Sequence, residues 1–265
     1  MENKPVVHLG STVEKAIKGE YKIDIKMVLQ QAWLLTVKSR SAVNFALIIT
    51  LLIGVFTILL MSTFMGGLEA IYNDHQSMAM VNIVVTLVTS PFLAGVEMIG
   101  VLNAVNIKTH AKLVFAFLQR GSWVAICALL SSTLSSIGFS LFIIPGLFLA
   151  VAFSLALPLV VEKHYSPLNA LIISVKALRH QWFQLFALYG MLSLAAALVV
   201  LPLAVTKNSE FVFVALIFAL FSFSYLVPLY FNLKGVLYRE IFGVQVAMSK
   251  PNDQGDNNSD SMFSA

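Results

Sequence analysis

The sequence predicts an all-α, polytopic membrane protein: six transmembrane helices arranged as three hairpins, each preceded by an amphipathic helix on the cytoplasmic surface. Three observations carry this expectation. Of 265 residues, 58% are apolar and only 11% charged, where soluble chains average about 25% charged. Val124 to Val161 runs 38 residues without a charge or a histidine, whereas a bilayer core of about 30 Å takes up about 20 helical residues. That run therefore folds back on itself, and Ile144-Pro145-Gly146 supplies the expected turn. Finally, the basic residues fall on one side of the resulting topology: sixteen of the 17 Lys and Arg precede span one or follow spans two, four and six, and Lys207 alone lies opposite. By the positive-inside rule both termini are cytoplasmic, in a bacterial inner membrane.

Taken in order, residues 1–23 read as a flexible cytoplasmic tail, mixed in charge and interrupted by Pro5 and Gly10. From Asp24, an N-cap residue, Ile25, Val28, Leu29, Ala32 and Leu35 recur at helical spacing and predict a helix lying on the inner surface. Trp33 belongs at headgroup depth, and Lys38 and Arg40 face anionic lipid. The membrane domain covers 24–243, with spans at about 45–64, 78–102, 124–143, 145–162, 183–205 and 211–231. Thr109 to Gln119 reads as a second surface helix, capped by Thr109 and stopped by Gly121. Ser166-Pro167 opens a third, whose stripe is Leu168, Leu171, Ile172, Val175 and Leu178. The Asn, Asp and Ser-rich segment 249–265 reads as a disordered cytoplasmic tail.

An internal threefold repeat runs through these units. Each pairs a basic residue with an aromatic at the membrane edge: Arg40 with Trp33, Arg120 with Trp123, and Arg179 with Trp182. Each returning arm contains a proline, Pro91, Pro158 or Pro228. The compact middle hairpin, turning at Pro145 and Gly146 and either spanning twice or entering as a re-entrant pair, is expected to be the most rigid and central of the three.

Few residues inside the spans carry chemistry. Glu97 is the one acidic side chain expected within a span, and Lys234 near the inner end of span six is its natural partner. The two form either a structural pair or part of a pathway. Ser132, Ser136 and Ser140 make a face of small side chains on span three, suited to close helix packing or to lining a solute path opposite Asn82, Thr86 and Ser90 on span two. The single cysteine, Cys127, excludes a disulfide framework and reads as packing. All five histidines lie in tails, loops or surface helices, and no nucleophile, metalloprotease or phosphate-loop motif is present. Catalysis, metal sites and cofactors are accordingly not expected. Neither is nucleic acid as a partner, because the net charge of +4 records membrane topology.

The stretch IIPGLFLAVAFSLALPLVVEKHYSPLNALIISVKALRHQWFQLFALYG resembles a bacterial family of uncharacterised polytopic inner-membrane proteins. It is also similar to the membrane domain attached to some glycerophosphoryl diester phosphodiesterases. The shared pattern is carried by Pro145, Gly146, Pro158, Glu162, Ser174 and Arg179, and VLQQAWLLTVKSRSAVN looks like the family's opening helix. The resemblance implies a six-span architecture of unassigned activity and supplies no catalytic residue. The expected function is thus a non-enzymatic one: organising or sensing the membrane, or binding another membrane component. The alternative is a small transporter or channel for a lipid or modest solute, with Glu97 on its path.

Overall fold

The computed structural model describes residues 6–206 and 210–247. Lys207 and the tail 249–265 lie outside the described residues. The elements are β1 (Val6–Leu9), α1 (Val13–Lys18), α2 (Ile25–Phe64), α3 (Leu68–Asn73), α4 (His75–Ala104), α5 (Gly121–Leu141), α6 (Ile143–Ala152), α7 (Ala156–Glu162), α8 (Pro167–Leu178), α9 (Trp182–Thr206), α10 (Val212–Phe242) and β2 (Val244–Ala247). Among the described residues, six helical segments are long and apolar enough to cross a membrane, which makes this an all-α polytopic architecture.

The centre of the molecule is a trio formed by α2, α4 and α10. Helix α10 runs antiparallel to α2, since Asn44, Thr36 and Gln31 meet Ser224, Asn232 and Arg239 in reverse order. It runs parallel to α4, since Glu97 and Ala104 meet Lys234 and Arg239 in the same order. The backbones of α4 and α10 touch where Gly100 crosses Gly235. This arrangement displaces the middle hairpin from the central position expected of it. The reason is steric: the small-residue contact that allows backbone approach sits on α4 and α10.

Burial is graded along the bundle. At the end carrying β1 and β2, hereafter the base, α4 is buried from Ala94 to Ala104 and α10 from Phe231 to Tyr238. Toward the other end α2 presents Leu51 and Phe56 and α10 presents Phe213 and Phe221 to the surroundings, with Phe64 of α2 80% exposed. Apolar surface of that extent is covered by lipid or by another apolar partner.

Helix α2 corrects the first surface-helix expectation. Asp24 caps it by accepting from the Lys26 and Met27 amides at 2.9 and 3.1 Å, and the helix continues unbroken for 40 residues. At 1.5 Å per residue that is about 60 Å, twice a bilayer core. Nothing separates the amphipathic stretch from span one, because neither proline nor glycine occurs before Gly54. The second expectation also changes: 109–119 forms short 3-10 turns at Ala111–Phe115 and Leu118–Arg120. Leu113 and Val114 are pressed into α4, where Gly95 admits the Val114 backbone. Thr109 bonds to Asn103 rather than capping, and Gly121 opens α5 rather than ending a helix. Helix α8 does begin at Pro167, but its expected stripe divides: Leu171 and Leu178 are buried together with Ala170, Ser174 and Ala177, while Leu168 and Ile172 point outward.

The middle hairpin turns at Phe142, whose backbone is extended, three residues before the expected Pro145-Gly146. Pro145 instead sits in the first turn of α6, where a missing N–H costs no helical bond. Gly146 is buried against Phe139, and its Cα would lie 2.9 Å from a Cβ added at Gly138, so this pair sets the α5–α6 approach. The returning arm breaks after Ala152, and Ser174 Oγ from α8 donates to the Ala152 carbonyl at 2.5 Å.

The amino-terminal segment, from Val6 onward, is not a free tail. β1 pairs antiparallel with β2, Leu9 opposite Val244, and α1 docks with Ala16 fully buried. No local pattern foretells this, since the pairing partner lies more than two hundred residues away. Tyr21 OH donates to the Ala177 carbonyl at 2.8 Å, and Gln181 holds the Ile23 amide at 2.8 Å. Burial pushes the Tyr21 hydroxyl up to about 12 from its ordinary 10.0. A raised pKa means that the neutral form is the one the fold favours. The Tyr21 contribution is therefore complete below pH 10 and is lost as pH rises through 12. In denaturation across this range, the stability gap between wild type and Tyr21→Phe is expected to stay constant up to about pH 10 and then narrow; a constant gap to pH 12 would contradict the burial of this hydroxyl.

Candidate functional site

Four polar side chains of α10 at the base reach α2, α4 and α7 between them. Asn232 is fully buried: its Oδ1 accepts from Asn103 Nδ2 at 2.8 Å and its Nδ2 donates to Thr36 Oγ1 at 3.1 Å. Asn103 also donates to Ser39 Oγ at 2.9 Å and accepts from Thr109 at 2.8 Å. Lys234 forms an ion pair with Glu97, the two residues 5% and 4% exposed, and lies 5.6 Å from the Tyr230 ring centroid. Tyr238 OH donates to Glu162 Oε2 at 2.7 Å, and the other oxygen of Glu162 accepts from the Gln245 amide and faces Lys163 at 3.1 Å. Arg239 donates to the Ala104 carbonyl at 2.6 Å and to Gln31 at 2.8 Å. Buried polar groups are costly unless partnered, so this layer ties α2, α4, α7, α10 and β2 into one arrangement. One atom of it, Glu97 Oε2, has no hydrogen-bond partner.

The remaining candidates disperse. Ser132, Ser136 and Ser140 are exposed; Ser132 and Ser140 return their hydroxyls to carbonyls of their own helix at 3.0 Å. They neither bury a helix contact nor face Asn82, Thr86 and Ser90, of which only Ser90 is buried. Small side chains on an apolar helix mark an interface only when another helix arrives there, and α6 arrives instead at Gly138. Among the edge residues, Trp33 and Arg40 converge on Tyr225, with the indole stacked at 6.2 Å and the guanidinium 4.2 Å above the ring. Trp123 is half exposed and Arg179 exposed, while Arg120 adds to burial in holding the His164 imidazole below its ordinary range. Trp182 packs among Phe148, Phe183 and Phe186.

A cavity of about 390 Å³ opens between α6, α9 and α10. Its walls are apolar, with Leu147, Ala150, Leu192, Ala196, Phe223 and Leu226 among them. One cluster is polar: Tyr189 OH donates to Ser154 Oγ at 3.0 Å, with Tyr230 beside it at 6.0 Å between rings. Ser154 sits in the break between α6 and α7, the one irregular stretch of that arm. The volume falls in the range of small-molecule sites, about 300–1,000 Å³. Among the described residues, no group of three His, Cys, Asp or Glu could hold a metal ion.

Sequence reasoning passed over Asn103, Asn232, Ser154, Tyr189 and Tyr230. A usable sign existed for the first two: uncharged amides at the inner ends of apolar helices are rare enough to imply partners. The tyrosines carried no such sign, because Tyr is common in membrane helices. No protein-family model, curated protein or solved structure matches this chain.

Proposed function

We propose that this chain is a non-enzymatic protein of the bacterial inner membrane that binds an amphiphile of the bilayer in the α6/α9/α10 cavity. The proposal places the base and both termini at the cytoplasmic face and reads the helices as three hairpins. It keeps the resemblance to uncharacterised polytopic inner-membrane proteins as its architectural frame, and leaves room for a second membrane protein against the exposed apolar helices. The observation that carries it is the cavity itself: apolar walls suited to an acyl chain end on the hydroxyls of Tyr189, Ser154 and Tyr230, suited to a polar head. Transport is not part of this reading, because Glu97 lines none of the described cavities and is sealed against Lys234.

The test is retention of lipid by the purified full chain, read by native mass spectrometry. Wild type is expected to carry one bilayer amphiphile per chain. Ala196→Trp, which fills the cavity from α9, is expected to lose most of it while melting as wild type does. A wild type that retains nothing, or a variant that retains as much, sinks the proposal.

A further inference from the structure

We infer that a second cavity, at the base, is a recognition site for a phosphate group. It has a volume of about 330 Å³ and lies between α2 and the link following α4. Lys38 and Ser41 line it from α2, Asn103 from the end of α4, and Lys108, Thr109 and His110 from the link. No acidic side chain lines it, and among the described residues neither lysine has an acidic partner. Two ammonium groups left uncompensated around one concavity attract an anion, and each contributes appreciably at a membrane surface.

The floor is built rather than incidental. Asn103 is 4% exposed and its amide is committed to Ser39, Asn232 and Thr109, which fixes the hydroxyls around it. Asn106, at φ 59°, turns the chain so that Ile107 bonds back to Leu102 and the next three residues leave the helix toward the cavity. Among the described residues, the backbone N–H groups of Lys108, Thr109 and His110 have no protein acceptor. Ser39 and Thr109 donate their hydroxyl protons to Leu35 and Asn103, so the donors facing an anion are the two ammonium groups, the Ser41 hydroxyl and the unpartnered backbone amides, a set that phosphate oxygens use.

Its depth suits a lipid headgroup. Lys38 lies seven residues before Phe45, where the continuous apolar stretch begins, so it sits about 10 Å along the helix from that boundary. Leu35 and Ile107 give the cavity an apolar side against which a glycerol backbone fits. The same donors would also take a soluble phosphate ester, and the site is separate from the α6/α9/α10 cavity.

Thermal unfolding of the full chain in nonionic detergent, titrated in parallel with dihexanoyl phosphatidylglycerol, glycerol 3-phosphate and inorganic phosphate, tests this site. Phosphatidylglycerol is expected to raise the melting temperature saturably. Lys38→Gln with Lys108→Gln is expected to raise the half-saturating concentration at least about tenfold. Both lysines are exposed, so the variant is expected to fold; Lys26→Gln with Lys176→Gln, also exposed, serves as the charge-matched control and should not change the titration. An equal saturable shift with glycerol 3-phosphate or inorganic phosphate, lost in the Lys38/Lys108 variant, assigns the site to soluble phosphates. No saturable shift with any of the three, or one that survives the double substitution, overturns the site. Ala196→Trp is expected to leave the titration unchanged, so failure of the amphiphile reading and failure of this site are distinguishable.

Discussion

Glu97→Gln is expected to destabilise the folded chain by about 3–5 kcal/mol, because it leaves the Lys234 ammonium buried without a counter-charge. Both partners are almost fully enclosed where α4 meets α10, so water cannot replace the lost carboxylate. The double variant Glu97→Gln with Lys234→Met removes both charges and is expected to recover most of that loss, since a buried pair contributes little net stability relative to a well-packed neutral one. Unfolding in detergent, followed through the four-member mutant cycle, measures the coupling directly. Additive losses in the two single variants would mean that the pair does not act as a unit. The result also bears on transport: if the role is structural, the double variant keeps whatever ligand binding the wild type has.

Gly235→Ala is expected to be at least as damaging. A Cβ there would lie 2.0 Å from the Gly100 carbonyl oxygen and 2.2 Å from its carbon. Both atoms are backbone, so no side chain can rotate aside and the helices themselves must separate. Ordinary overpacking costs about 1–3 kcal/mol; forcing apart two helices that also carry the Glu97–Lys234 pair and the Asn103–Asn232 bond belongs at or above the upper end of that range. Gly190 in α9 is the control, having nothing within 4 Å of an added Cβ. Gly190→Ala is expected to be neutral or to stabilise by up to about 1 kcal/mol, as alanine does in an open helical position. If Gly235→Ala melts with wild type, the α4–α10 crossing is looser than described.

How much was legible beforehand differs by element. The membrane-crossing helices follow from apolar run length, a property each segment carries by itself, and Asp24 and Pro167 marked helix starts because capping chemistry is local. Glu97 and Lys234 stood out as costly charges near span ends. Their convergence depends on α4 and α10 running parallel with Gly100 against Gly235, a fact of packing. The serine face of α5 shows the opposite outcome: a regular spacing implied a partner, and none of the neighbouring helices packs against it.

The tails and links were least legible. Val6–Leu9 reads as part of the tail until β2 is beside it, and 109–119 reads as a helix until Gly95 makes room for its backbone. By itself, then, the sequence determined the class of protein, the approximate spans and the charges that need partners, because hydropathy, capping and desolvation act over a few residues. Only the tertiary structure decided which helices form the centre, which polar residues meet in the base, and where two cavities open. Those outcomes depend on contacts between segments far apart in the chain, and on which small residues allow two backbones to touch.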